Sequence, residues 1–329
     1  MSSLTSLIQE LRALEGVRVW VDAPLAPFTT IGTGGKADLL ATVIDAESLV
    51  ATLSAVEAHG ASWVTLGAGS NFLVADDGYP GVVIKLDDSF SYVQGVPPVP
   101  ASGAEPVSIV VGAGLSLARL ATLVAEAGLS GLEFACGIPG SVGGGIAMNA
   151  GAYGCCMADI VEAVEMVTAS GAGWRSTQDI HWGYRSCRLP GQVIVTAIRF
   201  KLVPGDPAVI TERQREILRK RRAVQPQGVR TFGSTFKNPS GGAAGRLIEA
   251  AGLKGVRQGG AEISRVHANF VVNLGEATTA DVLVLMNLMR AEVLRKSGVL
   301  LEPEVKLLGA DFPWESPATH LGRPSEADG

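Results

Sequence analysis

The sequence predicts an α+β protein of two domains and a tail, and three observations predict it. Short apolar runs bounded by glycine alternate with amphipathic helical segments through the first two hundred residues. A strand-like alternation, "VIVTAIRFKLVPGDP" (193–207), then stops at Pro204-Gly205, and a charged helical segment begins. From there to about residue 310 the order is helix, glycine-rich turn, helix, strand, long helix, strand, a unit of ordinary domain size. The expected organisation is therefore 1–205, 206–310 and a proline-punctuated polar tail, 311–329, whose composition predicts disorder.

The elements follow in order. Leu4, Leu7, Ile8, Leu11 and Leu14 have the spacing of an amphipathic helix and lack the continuous apolar run of a signal peptide. "DAESLVATLSAVEAHG" has helical periodicity, with Asp45 placed to cap it and Gly60 to end it. "SWVTLGAGS" (62–70), "GVVIKL" (81–86) and "VSIVVGAG" (107–114) are predicted buried strands, and 91–106 is a Pro/Gly-rich loop. A helix is predicted over 115–128. Beyond the boundary come helices over 209–223, 243–252 and 279–297, with strands over 269–274 and 299–308. No internal repeat is visible.

Composition narrows the function. A formal charge of −5 gives no clustered basic face for nucleic acid. The one dense basic run, "RQREILRKRR" (213–222), sits in a helical segment with Glu212 and Glu216 and is favoured as a solvated face over a polyanion site. No segment reaches the ~20 apolar residues of a membrane span. The expectation is a cytoplasmic protein with no nucleic-acid or membrane partner and no obligate protein partner. Four cysteines and four histidines show no metal-ligand spacing, so no metal is expected and the thiols are read as buried and reduced.

The glycines raise the chemical question. "GIPGSVGGGIAMNAGAYG" (137–154) holds seven glycines and no charge, although glycine is costly to order. Two "GAG" turns follow strands, but a dinucleotide-binding G-x-G-x-x-G fails at its third position, where Phe72 and Leu117 stand. Two readings remain open on the residues alone. Several glycine turns converge on a phosphate-rich ligand through backbone N–H groups, or they are tight turns that let strands pack closely.

"GAGSNFLVADDGYPGVVIKL" and "GIPGSVGGGIAMNAGAYG" resemble the flavin-binding half of the UDP-N-acetylenolpyruvoylglucosamine reductases. "YRSC" (184–187), "GSTFKNPSGGAAGRLIEAAGLKG" (233–255), "GGAEISRVHANFVVN" (259–273) and "LEPEVKLLG" (301–309) resemble that family's later motifs in the same order. The resemblance covers about residues 25 to 310. It implies a two-subdomain FAD-binding fold of the vanillyl-alcohol-oxidase type followed by an α+β substrate-binding domain. It further implies non-covalent FAD, NADPH as co-substrate, and reduction of UDP-N-acetylglucosamine enolpyruvate to UDP-N-acetylmuramate.

Residue by residue, the resemblance assigns the FAD pyrophosphate and ribityl chain to Gly67, Ala68, Gly69, Ser70, Asn71 and Phe72, and to Ile138, Pro139, Gly140, Ser141, Gly143 and Gly144, with Asn149 as a further cofactor-binding residue. Ser234 matches the proton donor; Arg185 and Glu304 match the groups beside the substrate carboxylate and enolate. Lys237 and Asn238 are expected to contact substrate or its diphosphate, with Tyr184 and His267 as further substrate-binding candidates. Taken singly, Ser234 reads as a turn or cap serine, Arg185 as a surface arginine and Glu304 as a strand-edge glutamate, with Glu302 sharing its face. His267 reads equally as a satisfied structural histidine. Only about fifty residues separate Arg185 from Ser234, so the chain resembles the shorter type, which lacks an inserted tyrosine loop. "FTTIGTGG" (28–35) departs from the family's more common wording and reads as an entry turn to the first domain, which leaves the cofactor role of Thr33 or Gly34 open. A flavin oxidase of the same fold, a nucleotide-sugar-binding protein without catalysis and a Rossmann protein are the rival readings.

Overall fold

A computed structural model describes residues 2–97 and 105–314. Part of the expected 91–106 loop and residues 315–329 of the expected tail lie outside the described residues. The chain forms two compact units. The first is Met1–Ala23, Ala37–Gly69 and Pro80–Gln225; the second is Pro24–Lys36, Ser70–Tyr79 and the chain from Pro226.

The first unit has two layered halves. In one, helices α1 (Ser2–Ala13) and α2 (Ala46–Ala58) cover a four-stranded sheet in the order Val17–Pro24, Lys36–Val43, Tyr79–Leu86, Trp63–Thr65. Leu7, Leu11, Leu39, Leu49, Leu53, Val56 and Ile84 fill its core. Helix α2 starts where the sequence predicts: the Asp45 carboxylate accepts the Ser48 amide at 2.7 Å and Ser48 Oγ accepts the Asp45 amide at 3.2 Å. These bonds hold the Asp45 carboxyl below the usual carboxylate range.

The other half is an antiparallel sheet in the order Gly171–Ser176, Val161–Thr168, Ile194–Pro204, Val107–Gly112, Val93–Gln94. Helices α3 (Leu117–Glu126) and α4 (Val142–Ala147) share its core with Ile109, Val111, Val164, Ile198 and Phe200. Helix α5 (Pro207–Val224) also belongs to this unit, so the chain's last passage into the second unit comes after Gln225, about twenty residues beyond Pro204-Gly205. Asp206 caps α5 by accepting the Ala208 amide, and Pro207 stands where a helix needs no N–H donor. Only Ile210 and Gln214 of α5 are buried, and Glu212–Arg219 and Glu216–Lys220 pairs run along its surface. The basic run is thus largely a solvated face, with pairs that each contribute little.

The second unit packs α6 (Ala244–Ala250) and α7 (Thr279–Ser297) on a sheet in the order Arg230–Ser234, Phe270–Asn273, Ala261–Ile263, Arg257–Gln258. Val282, Leu285, Met286, Met289 and Val293 repeat at helical spacing, which explains the buried stripe of α7. Thr278 and Asp281 form its capping box, and Gly298 ends it at φ +71°. Asp76, from the stretch Ser70–Tyr79, also accepts the Thr279 and Ala280 amides at 2.9 and 2.8 Å, placing a carboxylate at the helix N-terminus.

Two expectations change here. Of the predicted strand 299–308, only Lys306–Leu308 is regular; it pairs in parallel with Phe72–Val74, while Pro303, which has no N–H, makes an isolated bridge to Phe236. Within the expected tail, Phe312 is buried in the second core and stacks on Trp314, centroids 5.0 Å apart, because two aromatic rings there supply apolar area the rest of the tail lacks.

Among the described residues no helix is long and apolar enough to cross a membrane, and no group of three or more His, Cys, Asp or Glu could hold a metal. Cys136 is buried, but Cys155 is exposed and Cys156 and Cys187 are intermediate. The adjacent pair lies in a two-residue strand against Gly151–Ala152, too small an element to bury both side chains.

Candidate active site

A cavity of about 450 Å³ lies within the first unit. Its walls are three glycine-containing loops, Thr65–Ala68 and Ala113–Ser116, which follow strands, and Gly140–Gly144, which leads into α4, with Lys85, Leu86 and Asp88 and the apolar strip Leu189, Val193, Ile194 and Val195. Backbone bonds stitch two of the loops together: Leu117 to Gly140 at 3.0 Å, Val142 to Leu115 at 2.8 Å and Gly143 to Ala113 at 2.9 Å.

The glycines of the 137–154 run answer to two different demands. A Cβ at Gly143 would stand 2.9 Å from the Ala113 Cβ, and one at Gly145 would meet Leu117 and Met157, so these positions are bare because helix α4 packs closely. Gly140 is required by its backbone, at φ +134°. At Gly67 a Cβ would come 2.7 Å from Ser141 Oγ, across the gap between two loops that line the cavity. Close packing and an open cradle therefore coexist, and neither reading of the glycines alone is sufficient.

Lys85 is the cavity's cation. Its Nζ donates to the carbonyls of Gly67 at 2.8 Å and Leu66 at 3.2 Å, and burial lowers its pKa. The lining thus offers bare main chain, the Ser116 and Ser141 hydroxyls, one ammonium and an apolar wall. That donor set fits a dinucleotide with a pyrophosphate and a flat ring: amides and a cation for the dianion, and the strip 193–195 for the ring. No histidine or cysteine lines the cavity; Cys136 is buried elsewhere, its Sγ donating to the Gln214 carbonyl, with its thiol pKa pushed up by burial.

In the same unit, Tyr184 and Arg185 form the two-residue turn between strands His181–Gly183 and Ser186–Arg188. Arg185 has φ +54°, uncommon for so large a residue, and its guanidinium carbon lies 5.2 Å from the Tyr184 ring centroid.

The second unit holds Ser234 and Glu304. Ser234 ends its strand opposite Phe270, and the following residues are gripped on both sides. Asn269 donates to the Phe236 carbonyl at 2.8 Å, accepts the Phe236 amide at 3.0 Å, and takes the Thr235 amide on its own carbonyl at 2.8 Å. From the other side Lys237 donates to the Glu302 carbonyl at 2.9 Å, and the Thr235 carbonyl takes the Glu304 amide. Thr235 Oγ is buried without a hydrogen-bond partner among the described residues.

A model of the UDP-N-acetylenolpyruvoylglucosamine reductase C-terminal domain matches residues 225–308, and a model of an FAD binding domain matches residues 37–176. A UDP-N-acetylenolpyruvoylglucosamine reductase of Anaeromyxobacter dehalogenans is 46% identical over 308 residues, which is 94% of this chain and 91% of that one. One of Myxococcus xanthus is 41% identical, over 94% and 97% of the two chains. The crystal structure of the Thermus caldophilus UDP-N-acetylenolpyruvylglucosamine reductase is similar, with a TM-score of 0.75 at 39% identity, over 89% of this chain and 98% of that one. The chain belongs to the UDP-N-acetylenolpyruvoylglucosamine reductase family.

For this family member, the residues expected from sequence divide clearly. Gly67, Ala68, Gly140, Ser141, Gly143 and Gly144 line the cavity; Gly69, Ser70, Ile138, Pro139 and Asn149 do not, nor do Asn71 and Phe72. Asn71 and Phe72 belong to the second unit, where Asn71 Nδ2 donates to the Glu304 carbonyl at 3.0 Å and the Asn71 backbone carbonyl accepts the Lys306 amide. Arg185 is in the first unit and Ser234 and Glu304 are in the second. Asn238 Oδ1 accepts the Ala244 amide at 3.0 Å and so closes the start of α6, whose own cap residue, Ala243, has no side-chain acceptor. Lys237 pairs with the exposed Glu302 at 3.4 Å, which turns Glu302 outward.

His267 has the contacts of a structural histidine: Nδ1 accepts the Asn269 amide at 3.2 Å and the ring packs edge-on against Phe270. Burial, then the Lys254 charge, lowers its pKa. Thr33 is buried, its hydroxyl bonded to Thr279. Sequence reasoning missed Lys85, although a single charge inside "GVVIKL" was the visible signal, and it missed Asn269.

Proposed function

We propose that the chain catalyses the NADPH-dependent, FAD-mediated reduction of UDP-N-acetylglucosamine enolpyruvate to UDP-N-acetylmuramate, a step of peptidoglycan precursor synthesis in the cytoplasm. The observation that carries this reading is the link between the two proton-handling candidates. Ser234 and Glu304 belong to neighbouring segments joined by the Thr235–Glu304 backbone bond, inside a fold whose other unit holds a cavity suited to FAD.

When bound, FAD would supply hydride transfer from NADPH to the terminal vinyl carbon of the substrate. The chain's own residues do the remainder. The glycine loops and Lys85 would hold the pyrophosphate. Arg185 offers two parallel donors to the substrate carboxylate, where negative charge grows as the adjacent carbon becomes enolate-like. Ser234 gives its hydroxyl proton to that carbon; a hydroxyl is a weak acid, but the carbanion is far more basic, so the transfer runs downhill, and solvent restores the proton. Glu304 supports the developing charge as a hydrogen-bond donor when protonated. Lys237, Asn238 and Tyr184 are proposed substrate contacts.

The test separates the half-reactions. Rapid mixing of Ser234→Ala with NADPH is expected to bleach the flavin at a near-normal rate, because no carbon is protonated in that step. Reoxidation by the enolpyruvyl substrate is expected to slow by roughly 10²–10⁴-fold. Equal slowing of both steps would make Ser234 a structural residue of the strand end.

A further inference from the structure

Asn149 stands between the cavity and the Tyr184–Arg185 turn. Helix α4 lines the cavity through Gly143, Gly144 and Ala147, and the chain leaves it at Met148 and turns at Asn149 with φ +41°. The Asn149 side chain is buried and both of its polar atoms are engaged. Oδ1 accepts the Ala158 amide at 3.1 Å, and Nδ2 donates to the Gly183 carbonyl at 3.0 Å. The partners fix the orientation of the carboxamide, since one offers only a donor and the other only an acceptor. Gly183 pairs with Ser186, so it closes the turn that carries Arg185.

We propose that Asn149 is a positioning residue for Arg185, a strut that ties the turn to the cavity-lining helix. Arg185 sits in the left-handed region, which is unfavourable for a large side chain, so the turn has a relaxed alternative unless something holds it. The Asn149–Gly183 bond, partly buried at the base of that turn, opposes the relaxation. Loss of the donor lets the turn relax and moves the guanidinium. A displacement of about 1 Å is enough to cost up to a hundredfold in a positioned reaction. The proposal rests on the reading of Arg185 as the carboxylate clamp.

Asn149→Asp is the decisive variant. It keeps the shape, tolerates the backbone conformation and still accepts the Ala158 amide, but it sets a carboxylate oxygen against the Gly183 carbonyl. Asn149→Gly, which suits the backbone and deletes both bonds, is the second variant. Hydrogen exchange of residues 181–188, measured on the flavin-loaded protein without substrate, is expected to quicken in both. Flavin content and reduction by NADPH are expected to stay within about twofold of wild type. Reoxidation by the enolpyruvyl substrate is expected to slow roughly ten- to hundredfold, with a raised KM. In Asn149→Asp the rate relative to wild type should recover as pH falls and the new carboxyl gains a proton to donate.

Unchanged exchange in 181–188, or normal reoxidation, overturns the strut. Loss of flavin with equal slowing of both steps overturns it in favour of direct cofactor binding. If wild-type flavin is not reoxidised by the enolpyruvyl compound, the functional reading fails instead, and the exchange measurement still decides whether Asn149 holds the turn.

Discussion

The Glu304 amide donates to the Thr235 carbonyl at 2.9 Å, and Thr235 is the residue after Ser234. Glu304 is held on its other side too, because its carbonyl accepts Asn71 Nδ2 at 3.0 Å. The backbone of Glu304 is thus fixed whatever its side chain does, which makes side-chain substitutions interpretable.

Glu304→Gln keeps the length of the side chain and a hydrogen-bond donor, whereas Glu304→Ala keeps neither. Removing a donor from a developing charge typically costs ~10²–10³-fold in turnover. Glu304→Ala is expected to show a loss of that order, Glu304→Gln a smaller one, and both should bind flavin normally. Steady-state kinetics with flavin quantitation decides it; full activity of Glu304→Ala would point to Glu302 instead.

Arg185→Gly should separate stability from function. Glycine adopts φ +54° without penalty, so the variant is expected to gain about 1 kcal/mol while losing the clamp. Chemical denaturation and turnover, measured on the same preparation, should move in opposite directions. A less stable variant would show that the turn is not strained.

Protonation of His267 opposes folding. Its pKa in the folded chain is lowered, so as pH falls below about 6.5 the unfolded chain takes up a proton that the folded chain resists, and stability declines. The decline runs from the unfolded value down to the lowered folded one. His267→Asn retains an acceptor for the Asn269 amide but cannot titrate. Urea midpoints at pH 7.5 and 5.5 should therefore fall further in wild type than in the variant. Equal falls would clear His267 of the effect.

Lys85 brings charge to the cavity while bonding two loop carbonyls. Lys85→Met is expected to weaken FAD binding to the apoprotein by tenfold or more, on the order of one charge-assisted hydrogen bond, and Lys85→Arg to recover part of it. Fluorescence titration measures this directly, and an unchanged affinity for Lys85→Met would remove Lys85 from the cofactor's contacts.

Much of this was legible in the chain. Asp45, Pro207 and Gly298 bound their helices for reasons local to a few residues, and local reasons are what a sequence displays. The motif around Ser234 and Glu304 could be read as a resemblance, but not why it is held. Asn269 grips Phe236 at a sequence separation of 33, and Asn149 grips Gly183 at 34. Such bonds depend on the tertiary path and leave no periodic trace. The resemblance assigns Asn149 to the cofactor, and its bonds to Gly183 and Ala158 are invisible at that level. The boundary at Pro204-Gly205 was visible as a change in composition, while α5 packs on helix α3 and stays with the first unit.

The discontinuity of the second unit has a consequence for how the protein is made. Ile31 and Leu73, both inaccessible to solvent, complete a core whose other members begin at Phe232. The strand Phe72–Val74 leaves the ribosome early, but its parallel partner, Lys306–Leu308, follows more than two hundred residues later. The early segment must therefore wait for its partner until Lys306–Leu308 has been made. A gene fragment starting at Pro226 would encode a piece with two core side chains missing, each worth about 1.5–3 kcal/mol when buried. The segment from Pro226 cannot be traded between proteins as an independent module, and fusions or splits in evolution would have to carry Pro24–Lys36 and Ser70–Tyr79 with it.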